Sequence, residues 1–331
     1  MISEIQNGVL KPPIDLFRGG VINNFKILKP LNLINIDDNI KLSGIANKGN
    51  SIPSVDLEKI NLQSRGAKIT NSSKEKIEFT KTINLQDGVD MYIPKNPVKS
   101  DGTVDIIIQF RGIVPKGFSE GGVNAIVIGA ETKGLSAAMM EKFGYKNFVP
   151  QILEKAMSEI KKKYGNNVQI GRLALGSFSA GYAPLAVALS DPVIRAKTDA
   201  VIVIDGIHYG KAGFPNPQSH KPFVDFARES VNGNKLMVIT HSSIRPNYSS
   251  STDAANYIAS QVGAKRIPVT DQSYYQDRYK NRYGSFISPS TRIDLNGFHV
   301  EGYEGNVAKS HVEQIDNLGN IWNEYLAPRW K

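Results

Sequence analysis

Regular alternation of apolar and polar positions sets in at residue 78. Glu78-Phe-Thr-Lys-Thr-Ile-Asn-Leu85 alternates, Gln86-Asp-Gly88 offers a turn, and Val89-Asp-Met-Tyr-Ile93 alternates again. That pattern predicts a β-hairpin with one face toward a core. Further on the alternation gives way to runs that are mostly apolar: Val104–Phe110, Asn124–Gly129 and Ala200–Gly206. Strands covered on both faces read this way, because neither face meets water. Leu173–Gly176, Lys235–Thr240 and Gly297–Gly302 complete the candidate strands.

Between the strands the period becomes helical. Residues 136–164 carry a long helical pattern interrupted near Gly144 and again near Pro150. Ala183–Leu189 has the Ala and Leu content of a buried helix, and Phe223–Arg228 reads as a short helix. Thr252–Gln261 is a helix opened by a Ser/Thr cap, and Val307–Leu326 is a closing helical pattern that includes Trp322 and Tyr325. A hairpin followed by alternating strands and helices predicts an α/β fold with a mainly parallel, doubly wound sheet. No repeat or linker interrupts 76–331, which is expected to form one domain. Residues 1–75 are rich in Asn, Lys, Ile, Pro and Gly, with short candidate strands at Phe25–Leu28 and Ile40–Ile45. They are expected to be an N-terminal extension, β-rich or irregular, with no assignable function.

Composition narrows the chemistry. The 331 residues are 40% hydrophobic and 21% charged, which describes an ordinary globular protein. With no cysteine, disulfides, thiol catalysis and thiolate metal sites are excluded. There is no HExxH, no H-x-H and no clustered carboxylate run, so no metal and no cofactor are expected. No apolar run reaches the roughly 20 residues of a membrane span, and no signal peptide is visible at the start. The excess of 40 basic over 31 acidic residues gives +9. It favours anionic partners such as an acidic polymer, or it is simply a basic surface. The lysines are dispersed, and Lys161-Lys-Lys163 falls at the end of a predicted helix, where it complements the helix dipole. No nucleic-acid partner is expected.

Chemistry concentrates around Gly171–Leu189. A short apolar strand ends at Gly176, a buried helix begins near Ala183, and Ser177-Phe-Ser179-Ala-Gly181 lies between them. Any doubly wound protein can place a small-residue turn there. The stretch also resembles the G-x-S-x-G nucleophile elbow of α/β-hydrolases, in the variant form S-x-S-x-G, with Ser177 in place of the first glycine and Gly176 just before it. The order of elements over roughly the last three quarters of the chain is similar to that family too.

The resemblance implies a serine hydrolase with nucleophile Ser179. A serine needs a base, and the base needs an orienting acid, in the family's chain order serine, acid, histidine. Of the five histidines, two follow the last predicted strand region, His299 within the strand and His311 after the loop beyond it. His311 is the expected base, because a loop at the carboxyl end of the sheet can reach the elbow; His299 is the alternative. Asp205, at the end of its strand, is the expected acid, with Asp253 as the alternative. The family more often takes its acid one strand later, but Ile239-Thr-His-Ser-Ser243 offers no carboxylate. The resemblance further implies an oxyanion hole built from the Ala180 amide and the loop Arg111-Gly-Ile113, where Gly112 allows close approach and Ile113 is the candidate second donor. Arg111 stands where the family usually has His. Gly117–Gly122 could shape the pocket. The segment Tyr274–Tyr283, four tyrosines among basic residues, reads either as a polymer-binding surface or as tyrosines packed on the core.

The expected activity is acyl-enzyme hydrolysis of a carboxylic ester, small or linked to a carbohydrate or other polymer. Amide or peptide cleavage, acyl transfer, and a non-catalytic protein of the same fold that binds an anionic polymer are the alternatives.

Overall fold

The computed structural model describes residues 76–276 and 288–331. The expected extension at 1–75 and much of the Tyr274–Tyr283 stretch lie outside them. The entry hairpin forms as its alternation predicts: β1 (Phe79–Gln86) pairs antiparallel with β2 (Val89–Pro94) around a turn in which Gly88 takes φ +73°. β3 (Thr103–Phe110), β4 (Ile126–Ala130), β5 (Gln169–Phe178), β6 (Thr198–Ile204), β9 (Leu236–His241) and β12 (Phe298–Tyr303) are all parallel to one another. A small hairpin, β7 (Gly210–Lys211) with β8 (Phe214–Pro215), follows β6. β10 (Ile267–Pro268) and β11 (Pro289–Leu295) extend the far edge antiparallel to its neighbours. The main sheet runs β1-β2-β4-β3-β5-β6-β9-β12-β11-β10.

Both faces of this sheet are covered. One face packs Ile106, Ile108, Leu175, Val201, Val203 and Ile239 against the helices at Phe148–Tyr164, Tyr182–Ser190, Pro217–Val231 and Ser251–Gln261. The other packs Ile107, Ala174, Ile202 and Val238 against the carboxyl-terminal helices. Each buried side chain of this size contributes about 1.5–3 kcal/mol relative to exposure, so the apolar central runs are the main source of cohesion.

Four departures from the sequence pattern have local causes. Pro150 does not interrupt its helix, because it falls in the first turn of Phe148–Tyr164, where its missing N–H has no intrahelical partner to lose; the break is at Gly144 alone. The short helix expected at Phe223 spans Pro217–Val231: Asn216 accepts from the Gln218 and Ser219 amides at its start, and a buried face of His220, Phe223, Phe226 and Ala227 holds it through the internal Pro222. β11 lacks an apolar run because it pairs near the edge. Finally, the closing helical pattern divides into Ala308–Asp316, Leu318–Ile321, a π-helical turn Trp322–Leu326, and Ala327–Trp330. The stretch expected to shape the pocket contains a short helix, Pro115–Glu120, whose Phe118 stacks on Trp322 with centroids 5.3 Å apart. Among the described residues no helix is long and apolar enough to cross a membrane.

Candidate active site

Backbone strain singles out one edge of the sheet. Among the described residues five non-glycines adopt positive φ: Arg111, Ser179, Asp205, Ile207 and Asn296. Asn296 lies in the β11–β12 turn, where asparagine takes this conformation readily. Arg111, Ser179 and Asp205 directly follow β3, β5 and β6 at their carboxyl ends, and Ile207 comes two residues after Asp205. Left-handed backbone at such residues costs on the order of 1–3 kcal/mol each, and for a β-branched residue such as Ile207 it is a genuine outlier.

Ser179, at φ +49°, stands between the end of β5 and a single 3-10 turn, Ser179–Gly181, that leads into the Tyr182–Ser190 helix. The turn is this tight because the chain, on leaving β5, starts its helix directly against the end of the neighbouring parallel strand β3. A Cβ at Gly181 would lie 2.0 Å from the Phe110 carbonyl oxygen, so no larger residue fits. Ser177, in the first-glycine position, is fully buried, and its hydroxyl has no hydrogen-bond partner. The tightness of this turn therefore depends on Gly181, not on a glycine at 177.

β6 delivers the carboxylate. Asp205 is 1% exposed, at φ +40°, and its amide donates to the Thr240 carbonyl of β9. One oxygen, Oδ2, lies 2.7 Å from His311 Nδ1. The other, Oδ1, accepts from the Ser242 amide at 2.9 Å and from the Ser251 hydroxyl at 2.5 Å. Burial by itself would raise the Asp205 pKa; the His311 hydrogen bond and charge, the Ser251 hydroxyl and the Ser242 amide outweigh it and hold the group well below the carboxylate range. An ionised carboxylate only accepts hydrogen bonds, so His311 donates from Nδ1.

His311 sits in the first turn of the Ala308–Asp316 helix, 21% exposed, with its ring stacked on Phe178 at 4.7 Å between centroids. Phe178 is the residue immediately before Ser179. A Cβ on Gly206, the residue after Asp205, would lie 2.8 Å from the Ser179 carbonyl oxygen. The ends of β5 and β6 and the Ala308–Asp316 helix thus converge on one place. The loop after β3 joins them: a Cβ at Gly112, which has φ +71°, would meet Phe178 Cβ at 2.8 Å and the Ile315 side chain at 2.9 Å.

In that loop the Gly112 amide donates to Glu131 Oε2 at 3.0 Å, whereas the Ile113 amide makes no hydrogen bond within the described structure. Arg111 directs its guanidinium to the Gly134 carbonyl at 2.7 Å and to Glu131 at 3.8 Å, tying the loop after β3 to the loop after β4. Ala180 is buried in the elbow turn.

The two alternatives lie elsewhere or are otherwise engaged. His299 bonds Asp294 on the neighbouring strand at 2.9 Å, in register with Val238, toward the amino end of β9. Asp253 is the N3 residue of a capping box: its carboxylate accepts from the Ser250 amide at 3.0 Å while its own amide donates to Ser250 Oγ. The cap is thus Ser250, and the helix begins at Ser251 instead of Thr252.

Three groups at this edge escape a reading of the sequence. His208, whose ring packs edge-on to Tyr182 at 5.6 Å and Tyr248 at 5.4 Å, stands close enough to Asp205 and His311 to feel both charges; burial pushes its pKa down. Ser242 occupies the segment where the acid was sought and found missing, and supplies an amide to Asp205 instead. Ser251 belongs to the run Ser249-Ser-Ser-Thr-Asp253, which signals a helix start but not which hydroxyl faces where.

No family model and no curated protein sequence matches this chain. Among solved structures it is similar to an esterase of Pyrococcus furiosus, at 12% identity over 77% of this chain and 93% of that one, TM-score 0.39. It is also similar to carboxyl esterase 2 of the mycorrhizal fungus Tuber melanosporum, at 13% identity over 78% and 89%, TM-score 0.37. A third similar structure is prolyl oligopeptidase B of Galerina marginata, at 13% identity over 77% of this chain and 37% of that one, TM-score 0.37. The strand order of this sheet, with its antiparallel entry hairpin and a strained serine turn after β5, is that of the α/β-hydrolase fold.

Proposed function

We propose that this protein is a serine hydrolase that cleaves a carboxylic ester through an acyl-enzyme, with Ser179 as nucleophile, His311 as base and Asp205 as the orienting acid. The observation that carries the reading is the buried Asp205 carboxylate bound to His311 Nδ1 at 2.7 Å, across 106 positions of sequence, beside a serine held at φ +49°. Ser179 Oγ attacks the acyl carbon and its proton passes to His311 Nε2. Asp205 holds the ring in the Nδ1–H tautomer and stabilises the imidazolium. The oxyanion takes hydrogen bonds from the Ala180 and Ile113 amides, the two donors that need not reorganise as charge develops. His311 returns the proton to the departing alcohol. Water, activated by the same histidine, then releases the acid and regenerates Ser179.

An ester is favoured over an amide as the less demanding leaving group. The net charge of +9 fits an ester carried on an anionic small molecule or polymer.

The test is intact-mass analysis after exposure to a fluorophosphonate, on wild type and Ser179→Ala. One adduct on wild type and none on the variant supports the reading, and an ester panel then identifies the acyl group. A folded wild-type protein that stays unlabelled rejects it in favour of a binding protein built on the same fold.

A further inference from the structure

The triad reading leaves one buried contact without a role. Ser251 is 2% exposed and is the first residue of the Ser251–Gln261 helix, so it is not needed as the cap; Ser250 performs that function. Its hydroxyl is directed away from its own helix, onto Asp205 Oδ1 at 2.5 Å. The same oxygen takes the Ser242 amide, while Oδ2 takes His311.

We infer that Ser251 is a positioning residue for the proposed reaction, fixing the Asp205 carboxylate and moderating how strongly it attracts the imidazole proton. This rests on the triad reading above. The geometry has two consequences. First, a carboxylate anchored at Oδ1 by two donors from different elements, the β9 terminus and a helix, cannot rotate about its Cβ–Cγ bond, so Oδ2 stays aimed at Nδ1. Asp205 itself takes left-handed backbone, at φ +40°, where the chain leaves β6. Second, a hydroxyl bond to an anion draws off part of its charge. Without it Oδ2 becomes more basic and the imidazolium retains its proton to higher pH.

Thr252, the next residue, sharpens the assignment. Its hydroxyl donates to the Ser242 carbonyl at 2.7 Å, so adjacent side chains of one helix start secure both the donor segment after β9 and the acid itself. Removing Thr252 disturbs only the scaffold, whereas removing the Ser251 hydroxyl acts on Asp205 directly.

The experiment compares wild type, Ser251→Ala and Ser251→Cys, whose thiol is a weaker donor of similar shape, by two measurements. One is the NMR titration of the His311 ring; the other is the pH profile of fluorophosphonate labelling at Ser179. We expect Ser251→Ala to slow labelling about 10-fold, on the scale of losing one hydrogen bond to a charged group. We also expect the ring titration and the acid limb of the profile to move upward together by about half a pH unit, as loss of a donor to its carboxylate partner requires. Ser251→Cys should fall between the two and serves if the alanine variant does not fold. Labelled wild type with an unmoved ring titration in both variants overturns the role of Ser251 alone, since packing loss would lower activity and stability without shifting that titration. Wild type that is not labelled overturns the hydrolase reading and this role with it.

Discussion

The molecule contains two aspartate–histidine pairs at nearly the same distance, and only one lies beside the strained serine turn. Asp205 and His311 meet at 2.7 Å at the carboxyl end of the sheet; Asp294 and His299 meet at 2.9 Å on β11 and β12 toward the opposite end. Distance does not separate them. Their surroundings do. The first pair joins residues 106 positions apart from two separate elements, and three strand ends around it carry left-handed, strained residues. The second joins residues five positions apart across one hairpin, whose only positive-φ non-glycine among the described residues is the turn residue Asn296. A carboxylate–imidazole contact made inside a hairpin follows from register alone. One assembled from distant elements exists only because the tertiary fold brings their strand ends together.

The sharpest way to break this comparison is Asp205→Asn. The amide preserves shape but cannot anchor the Nδ1–H tautomer as an anion does, so kcat/KM toward a labile ester should drop about 10³–10⁴-fold with the fold intact by circular dichroism. A loss under tenfold would reduce the first pair to the status of the second.

Two buried carboxylates of the sheet, Asp205 and Glu301, are displaced in opposite directions. Glu301, on the same strand as His299, is fully buried and accepts from Tyr303 at 2.6 Å and from Tyr325, whose ring packs on His299, at 2.7 Å. Burial, followed by repulsion from Glu324, raises its pKa from 4.5 to about 8, against the pull of the two tyrosine hydroxyls. The signs then differ. Asp205, depressed in the fold, stabilises the protein above the ordinary aspartate range and loses that contribution as pH falls through its lowered value. Glu301, raised in the fold, contributes fully below pH 4.5 and loses its contribution as pH rises through about 8. Glu301→Gln should therefore flatten the alkaline decline, raising Tm at pH 9 relative to wild type by about 3–5 °C while changing it less at pH 5. A scan that declines equally in both proteins would place the alkaline sensitivity elsewhere. The smallest effect is expected at the hairpin pair itself. His299→Gln should leave ester turnover within about twofold and cost about 0.5–1 kcal/mol in denaturant unfolding, as for the loss of one partly exposed side-chain hydrogen bond. A large loss of turnover would mean that the two ends of the sheet are coupled.

Much of the fold was legible because burial on two faces leaves a mark that one strand shows by itself. Val104–Phe110 and Ala200–Gly206 could be assigned without knowing their neighbours. β11 could not, since Pro289-Ser-Thr-Arg-Ile-Asp-Leu295 has no apolar run and acquires its strand form from pairing with β12. The extent of the Pro217–Val231 helix was hidden for the opposite reason: Pro222 argues locally against a helix that tertiary packing sustains.

By itself the sequence determined the small-residue turn around Ser179, the strand-end position of Asp205 and the place of His311 beyond the last strand, because chain order and local chemistry suffice for each. Only the tertiary structure decided which carboxylate and which imidazole meet, that Gly181 and not residue 177 sets the tightness of the turn at Ser179, and that Ser242 and Ser251 hold Asp205. Those are contacts between elements far apart in sequence. They depend on strand order and on the direction each side chain takes from its element, and neither quantity is encoded in any short stretch of residues.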